Sequence, residues 1–153
     1  MKSDLHILVD ADSCPVKNEI YKVALRHQVK VSIVANSFMK VSESSLVKLI
    51  QVSEDFDAAD DFIAEQANQH SVVITSDIPL ADRCLKAKAT VIASNGIPFT
   101  ENSIGAALAT RAIMEDLRAG GEQVGGPPPF SNKDRSNFLS SLHDQLLRLK
   151  RLG

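Results

Sequence analysis

The chain has 153 residues, of which 44% are hydrophobic and 24% charged, and a formal net charge of -2. That length suits one domain with a single core, and the near-neutral charge excludes an overall field drawing the whole protein onto nucleic acid, so an anionic partner must meet a local patch. The N-terminus lacks the basic stretch and long apolar core of a secretion signal, and no apolar run approaches the ~20 residues of a membrane span; a cytoplasmic protein with no membrane partner is expected.

His6-Ile7-Leu8-Val9-Asp10 is a short, branched, apolar run that stops at the turn-forming Ala11-Asp12-Ser13-Cys14-Pro15, and it reads as a buried first strand. Pro15 opens a helix to about Gln28, with Val16, Ile20, Val23, Ala24 and Leu25 near helical spacing. Val29 to Ala35 is the second strand, closed by Asn36-Ser37. Leu46 to Val52 is the third, and its polar Lys48 and Gln51 mark it as an edge. Asp57 heads a helix with apolar Ala59, Phe62, Ile63 and Ala67, and strand four, Val72 to Thr75, follows. Pro79 starts a helix through Leu80, Ala81, Cys84 and Leu85, and Ala89 to Ala93 is the fifth strand. Strands that alternate with helices predict an α/β domain over residues 1–118, a three-layer sandwich around a mainly parallel sheet of about five strands.

Ile104 to Leu117 is a further helix within that domain. The Gly- and Pro-rich stretch 119–130 cannot continue a helix and reads as a connector. Residues 131–153 carry Phe138, Leu142, Leu146 and Leu149 at intervals of three or four, the pattern of an amphipathic helix. Its apolar stripe must be covered, either by the domain's own surface or by a second copy in a homodimer.

Cys14 and Cys84 lack C-x-x-C spacing and read as free, buried side chains. His6, His27, His70 and His143 have no partner spacing, so neither a zinc site nor a Ser-His-Asp triad is expected. The acids are more informative, because an open parallel sheet places its ligands beyond the carboxyl ends of its strands. Asp10 ends strand one and Asp12 follows; Asp57, Asp60 and Asp61 come after strand three; Asp77 follows strand four; Asp82 lies on the next helix. Two carboxylates about 4 Å apart repel by ~4 kcal/mol at an effective dielectric of 20, so such a cluster calls for a proton or a cation. Oxygen-only ligands favour Mg²⁺ or Mn²⁺ over zinc. A polarised water beside a phosphate is the chemistry of phosphodiester hydrolysis, leaving a 5′-phosphate and a 3′-hydroxyl.

The candidate metal ligands are therefore Asp10, Asp12, Asp60, Asp61, Asp77 and Asp82. Structural roles compete for several of them. Asp57 with Asp60 fits a helix cap followed by an acid at the third helical position; Asp61 fits a first turn favoured by the helix dipole; Asp77 fits a turn or cap, and Asp82 a solvated helix face. Asp10 is the hardest to explain by packing, since an apolar strand runs straight into it. Ser13 and Asn36, polar residues just past strands one and two, are candidate substrate contacts.

Four ordered segments resemble the bacterial YaiI/YqxD family: Val9-Asp10-Ala11-Asp12-Ser13-Cys14-Pro15-Val16, Phe56-Asp57-Ala58-Ala59-Asp60-Asp61, Thr75-Ser76-Asp77-Ile78-Pro79-Leu80-Ala81, and Gly126-Pro127-Pro128-Pro129-Phe130 with Lys133-Asp134-Arg135. That family is similar to PIN-like nuclease domains. The resemblance implies strands one and four side by side, Asp10 and Asp77 as metal acids, and Asp60 or Asp61 as the acid from a neighbouring helix. The catalytic set it points to is Asp10, Asp77 and Asp61, with RNA or another phosphodiester as substrate. Lys133 and Arg135 belong to the tail motif, where a phosphate contact competes with a plain polar helix start.

Three other functions compete. Asp10-Ala11-Asp12 after an apolar strand also resembles the nucleophile and acid pair of haloacid-dehalogenase-like phosphatases, although no suitable lysine or later acidic pair is evident. A receiver-like phosphoacceptor would need a lysine ending strand five, where Ala93-Ser94-Asn95 stands instead. A non-catalytic module that holds metal and binds RNA would have little aromatic surface, with one Tyr and no Trp.

Overall fold

The computed structural model describes residues 5–55, 57–121 and 130–152, with Ser13 and Arg118 described by backbone alone. In chain order the elements are β1 His6–Asp10, α1 Lys17–His27, β2 Lys30–Ala35, β3 Val47–Gln51, α2 Ala58–Gln66, β4 Ser71–Ile74, α3 Ile78–Lys86, β5 Thr90–Ile92, β6 Pro98–Phe99, α4 Glu101–Ala119 and α5 Asn132–Leu152. The strands form one sheet in the order β3-β2-β1-β4-β5-β6. All neighbours pair in parallel except β5 and β6. The chain builds outward from β1 to β3, then returns to lay β4 against the other side of β1. Strand order reverses at that point, and in open α/β sheets the crevice beyond the carboxyl ends of the two central strands is where ligands bind.

Period-two alternation sorts each strand's side chains between two helical layers. Ile7 and Val9 pack with Ile20 and Val23 of α1 and with Phe138, Leu142, Leu146 and Leu149 of α5. Leu8 faces the other way, into Ala59 and Ile63 of α2, Leu80, Ala81 and Cys84 of α3, and Ile104 of α4. The three-layer α/β sandwich is thus observed, with β3 at one edge as its polar residues foretold. The apolar stripe of α5 is buried against the chain's own α1 side of the sheet.

The sixth strand was not foreseen. Two residues are too few to display a period, and Pro98 is tolerated only because β6 is an edge. The turn before it depends on Gly96, at φ +90°, where an added Cβ would lie 2.6 Å from the Asn137 carbonyl oxygen of α5. Helix α4 starts at Glu101, ahead of the apolar run, because Thr100 and Ser103 cap one another: the Ser103 N–H donates to Thr100 Oγ1 at 3.0 Å and the Thr100 N–H to Ser103 Oγ at 2.9 Å. Part of the connector, residues 122–129, lies outside the described residues. Among the described residues, no helix is long and apolar enough to cross a membrane.

Candidate functional site

Asp10 shares the parity of Leu8 and so belongs to the α2/α3 face of the sheet, at the reversal point. It is 6% exposed. Thr75, fully buried just past β4, donates its hydroxyl to Asp10 Oδ2 at 2.9 Å and accepts the Asp77 N–H at 3.0 Å. A threonine hydroxyl can do both at once, and here it ties the end of β1 to the start of α3. Asp77 caps α3: its Oδ1 accepts the Leu80 N–H at 3.1 Å, and Pro79 follows in the first turn, where a missing N–H costs nothing.

A cavity of about 330 Å³ opens at this place, lined by Asp10, Asp12, Asn36, Ala59, Asp60, Ser76 and Asp77. Burial, then the charges of Asp77, Asp10 and Asp57, push Asp60 from the ordinary 3.8 up to about 6, against the opposing pull of Arg83. Asp61, the next residue, points elsewhere, because neighbours in a helix do not share a face. It pairs with Arg83 at 2.9 Å and is 55% exposed. Asp82 pairs with Lys86 one turn along α3 at 3.0 Å. Neither lines the cavity. Asp57 occupies the cap position of α2 but makes no side-chain capping bond, so capping does not account for it.

Asp12 is exposed on a 3₁₀ turn, Ala11–Ser13, which Lys17 braces by donating to the carbonyls of Cys14 at 3.0 Å and Ala11 at 3.4 Å. The Ser13 side chain lies outside the described residues. Asn36 lines the cavity and donates to the Ser53 carbonyl at 2.8 Å. Lys133 is exposed on α5. Arg135 donates to the Pro15 carbonyl at 2.8 Å, lies 3.5 Å from the Glu19 carboxylate and stands 5.0 Å over the Phe130 ring. It therefore anchors α5 to the loop behind the acids and does not line the cavity.

Sequence reading missed Thr75 and Ser76 as parts of the site; a hydroxyl two residues before a strand-end acid was the available signal. It also left the histidines apart, whereas packing of α1 on α5 brings His27 Nε2 within 2.8 Å of His143 Nδ1. Lys150 Nζ donates to His27 Nδ1 at 2.9 Å, so Nε2 must carry the proton given to His143. Both cysteines are free and buried, and burial pushes the Cys84 thiol up to about 12.

The donor set in the cavity is all hard oxygen, which matches Mg²⁺ or Mn²⁺. Among the described residues no three His, Cys, Asp or Glu side chains converge into a ready-made metal cage. Mg²⁺ does not need one, since it is held by one or two carboxylates and keeps several waters. A cavity of about 330 Å³ has room for several waters. The residues present therefore fit a hydrated divalent ion.

Fold and cavity together define an open-sheet α/β protein with a carboxylate-lined crevice at its strand reversal. The chain belongs to the family described as "Uncharacterized BCR, YaiI/YqxD family", which matches residues 8–148. It is 62% identical over 146 residues to a UPF0178 protein of Sphingopyxis alaskensis, covering 95% of each chain. A UPF0178 protein of Bradyrhizobium diazoefficiens is 58% identical over 145 residues, covering 95% of this chain and 87% of the relative. One from Brucella ovis is 55% identical over 148 residues, covering 96% and 92%. No solved structure matches the chain.

Proposed function

We propose that this protein is a divalent-metal-dependent phosphodiesterase, a nuclease whose substrate is RNA. The observation that carries the proposal is that Asp10, Asp60 and Asp77, from a strand end, a helix and a helix cap, line one cavity, with no lysine or arginine among the described lining residues. A phosphate entering there meets four carboxylates and no charged donor among the described lining residues, so a cation has to stand between them. The covalent phosphatase alternative lacks a positive group in the same place among the described residues. The resemblance to PIN-like nuclease domains supports the step from metal to phosphodiester, and the adjacency of β1 and β4 agrees with it.

One or two of Asp10, Asp60 and Asp77 would hold Mg²⁺ or Mn²⁺, with the exposed Asp12 also in the lining. Bound there, the ion supplies polarisation of a phosphate oxygen and a lowered pKa for its water. The chain's own residues do the positioning. Thr75 fixes one oxygen of Asp10, and the capping bond to Leu80 fixes one oxygen of Asp77, so both carboxylates are held before substrate arrives. The Asn36 amide and the Ser76 hydroxyl are the neutral donors in the lining, suited to phosphate or ribose oxygens. Asp61 and Asp82, paired with Arg83 and Lys86, have no part in this set.

Thermal melting with and without Mn²⁺, followed by cleavage of single-stranded and structured RNA, tests the proposal. Wild type and Asp61→Ala should be stabilised by Mn²⁺ and should cut, whereas Asp10→Asn and Asp77→Asn should lose both properties. No metal response in the wild type would remove the central claim. A metal response without cutting would leave a non-catalytic metal-holding module, and equal cutting by wild type and Asp77→Asn would mark the activity as a contaminant.

A further inference from the structure

Phe38 is 77% exposed, the most open of the large apolar side chains described. Its neighbours are not loose. Along residues 38–41 exposure alternates: Phe38 and Lys40 face solvent, while Met39 and Val41 pack against the core on the α1 side of the sheet. Phe38 and Lys40 are thus two residues apart and both open to solvent, with the inward-packed Met39 between them. The segment is held from both directions, by the partly buried Met39 and Val41 and by the Asn36 side chain, which donates to the Ser53 carbonyl at 2.8 Å. A bare aromatic ring presented by an anchored segment is not explained by packing, since its inward neighbours already serve the core.

Asn36 lines the acidic cavity. Two residues of chain span at most about 7 Å, so the Phe38 backbone lies no further than that from a cavity-lining residue. We propose that Phe38 and Lys40 receive a single-stranded nucleic acid, the ring stacking on a base and the ammonium meeting the adjoining phosphate, while a neighbouring phosphodiester enters the cavity. This rests on the reading of the cavity as a phosphodiester site and names its substrate class: an unpaired strand, because the bases of a duplex have no free face for the ring. An aromatic paired with a cation is the arrangement used to hold single strands without base readout. It also supplies the local patch that a chain of net charge -2 needs in order to meet an anion.

The test uses the full chain in EDTA, so that binding is measured without metal. The probes are an eight-nucleotide single strand carrying 2-aminopurine and the same strand in a duplex. The single strand should bind with quenching of the base analogue, and the duplex at least about 10-fold more weakly. Phe38→Ala should weaken single-strand binding about 10-fold, and Phe38→Trp should restore it. Lys40→Ala should reduce the slope of log affinity against log salt by about 0.7. Exposure of both residues means that the melting temperature should not move in any of these variants, so loss of binding is not loss of fold. Unchanged affinity in Phe38→Ala, equal binding of duplex, or no binding of the single strand by wild type would each overturn the proposal. So would a fall in sedimentation mass in Phe38→Ala with affinity unaltered, which would assign the ring to a second copy. The metal reading fails separately, through the Mn²⁺ response: single-strand binding that depends on Phe38 in a chain that ignores Mn²⁺ would leave this inference standing and that reading not.

Discussion

Replacing Asp60 by Asn should make the metal-free protein more stable at neutral pH and less responsive to Mn²⁺. Crowding by burial and by Asp77, Asp10 and Asp57 moves the Asp60 carboxyl from 3.8 to about 6 in the folded chain. The folded state therefore holds a proton that the unfolded state releases. Stability tied to this group is complete below the unfolded value and is lost as pH rises through about 6. A displacement of that size corresponds to about 3 kcal/mol between the two protonation states, and partial exposure screens it to about 1–2 kcal/mol. For a chain of this length that is a melting difference of about 3–6 °C. Asn keeps the shape and removes the charge. In EDTA at pH 7.5, Asp60→Asn should melt above wild type by that amount, with the gap closing toward pH 4.5. Saturating Mn²⁺ should reverse the order, since an ion at 100 times its Kd adds about 2.7 kcal/mol to wild type and a neutral amide is the weaker ligand. Calorimetry from pH 4.5 to 8, with EDTA and with Mn²⁺, reads both effects. If Asp60→Asn melts at or below wild type in EDTA across that range, the acids in the cavity are not in conflict and the electrostatic case for a cation fails.

Thr75→Val keeps the shape of a buried side chain but removes the donor to Asp10 and the acceptor for the Asp77 N–H, so urea unfolding should show a loss of about 1–3 kcal/mol. Mn²⁺ affinity should fall with it, because the Asp10 carboxylate loses its brace and the Asp77 backbone loses its acceptor. Gly96→Ala should cost more than about 1 kcal/mol, measured the same way, since φ +90° disfavours Ala and its Cβ would strike the α5 backbone. His27 is pushed below 6.5 by burial and by the Lys150 charge. The stability tied to it is present above 6.5 and lost as pH falls through the lower folded value, so His27→Gln should flatten the acid limb of a melting profile that NMR titration of the imidazole can assign.

Legibility in the sequence followed the range of the interactions involved. Asp10 could be read because a buried strand gives its side chains a fixed parity, and an acid at its end either faces the crevice or breaks the pattern. Asp60 and Asp61 could not be separated, because the facing of α2 is set by the packing of Ala59 and Ile63 against distant elements, which leaves Asp61 outside to pair with Arg83, 22 residues away in sequence. The capping role of Asp77 was visible in the Pro79 that follows it, yet capping and cavity lining turned out to be compatible uses of one carboxylate. Asp57 went the other way: its spacing to Asp60 fits a cap, but the side chain makes no such bond. The meeting of His27 with His143 rests on helices 116 residues apart in the chain, beyond any local pattern.

The tail segment Lys133-Asp134-Arg135 can now be explained without a phosphate. Asp134 Oδ2 accepts the Ser131 N–H at 3.0 Å while Ser131 Oγ accepts the Asp134 N–H at 3.1 Å, the reciprocal pair that starts a helix. Arg135 then reaches the Pro15 carbonyl, immediately after the turn that Lys17 braces through Cys14 and Ala11. Two cations from different helices thus hold the backbone of the loop that carries Asp12. Glu19 gives the arrangement a limit: its Oε1 is buried with no hydrogen-bond donor of good geometry, and Arg135 is its counter-charge at 3.5 Å. Removing Arg135 would leave that carboxylate uncompensated, so the first turn of α5 is coupled to the acidic loop through charge as well as through packing.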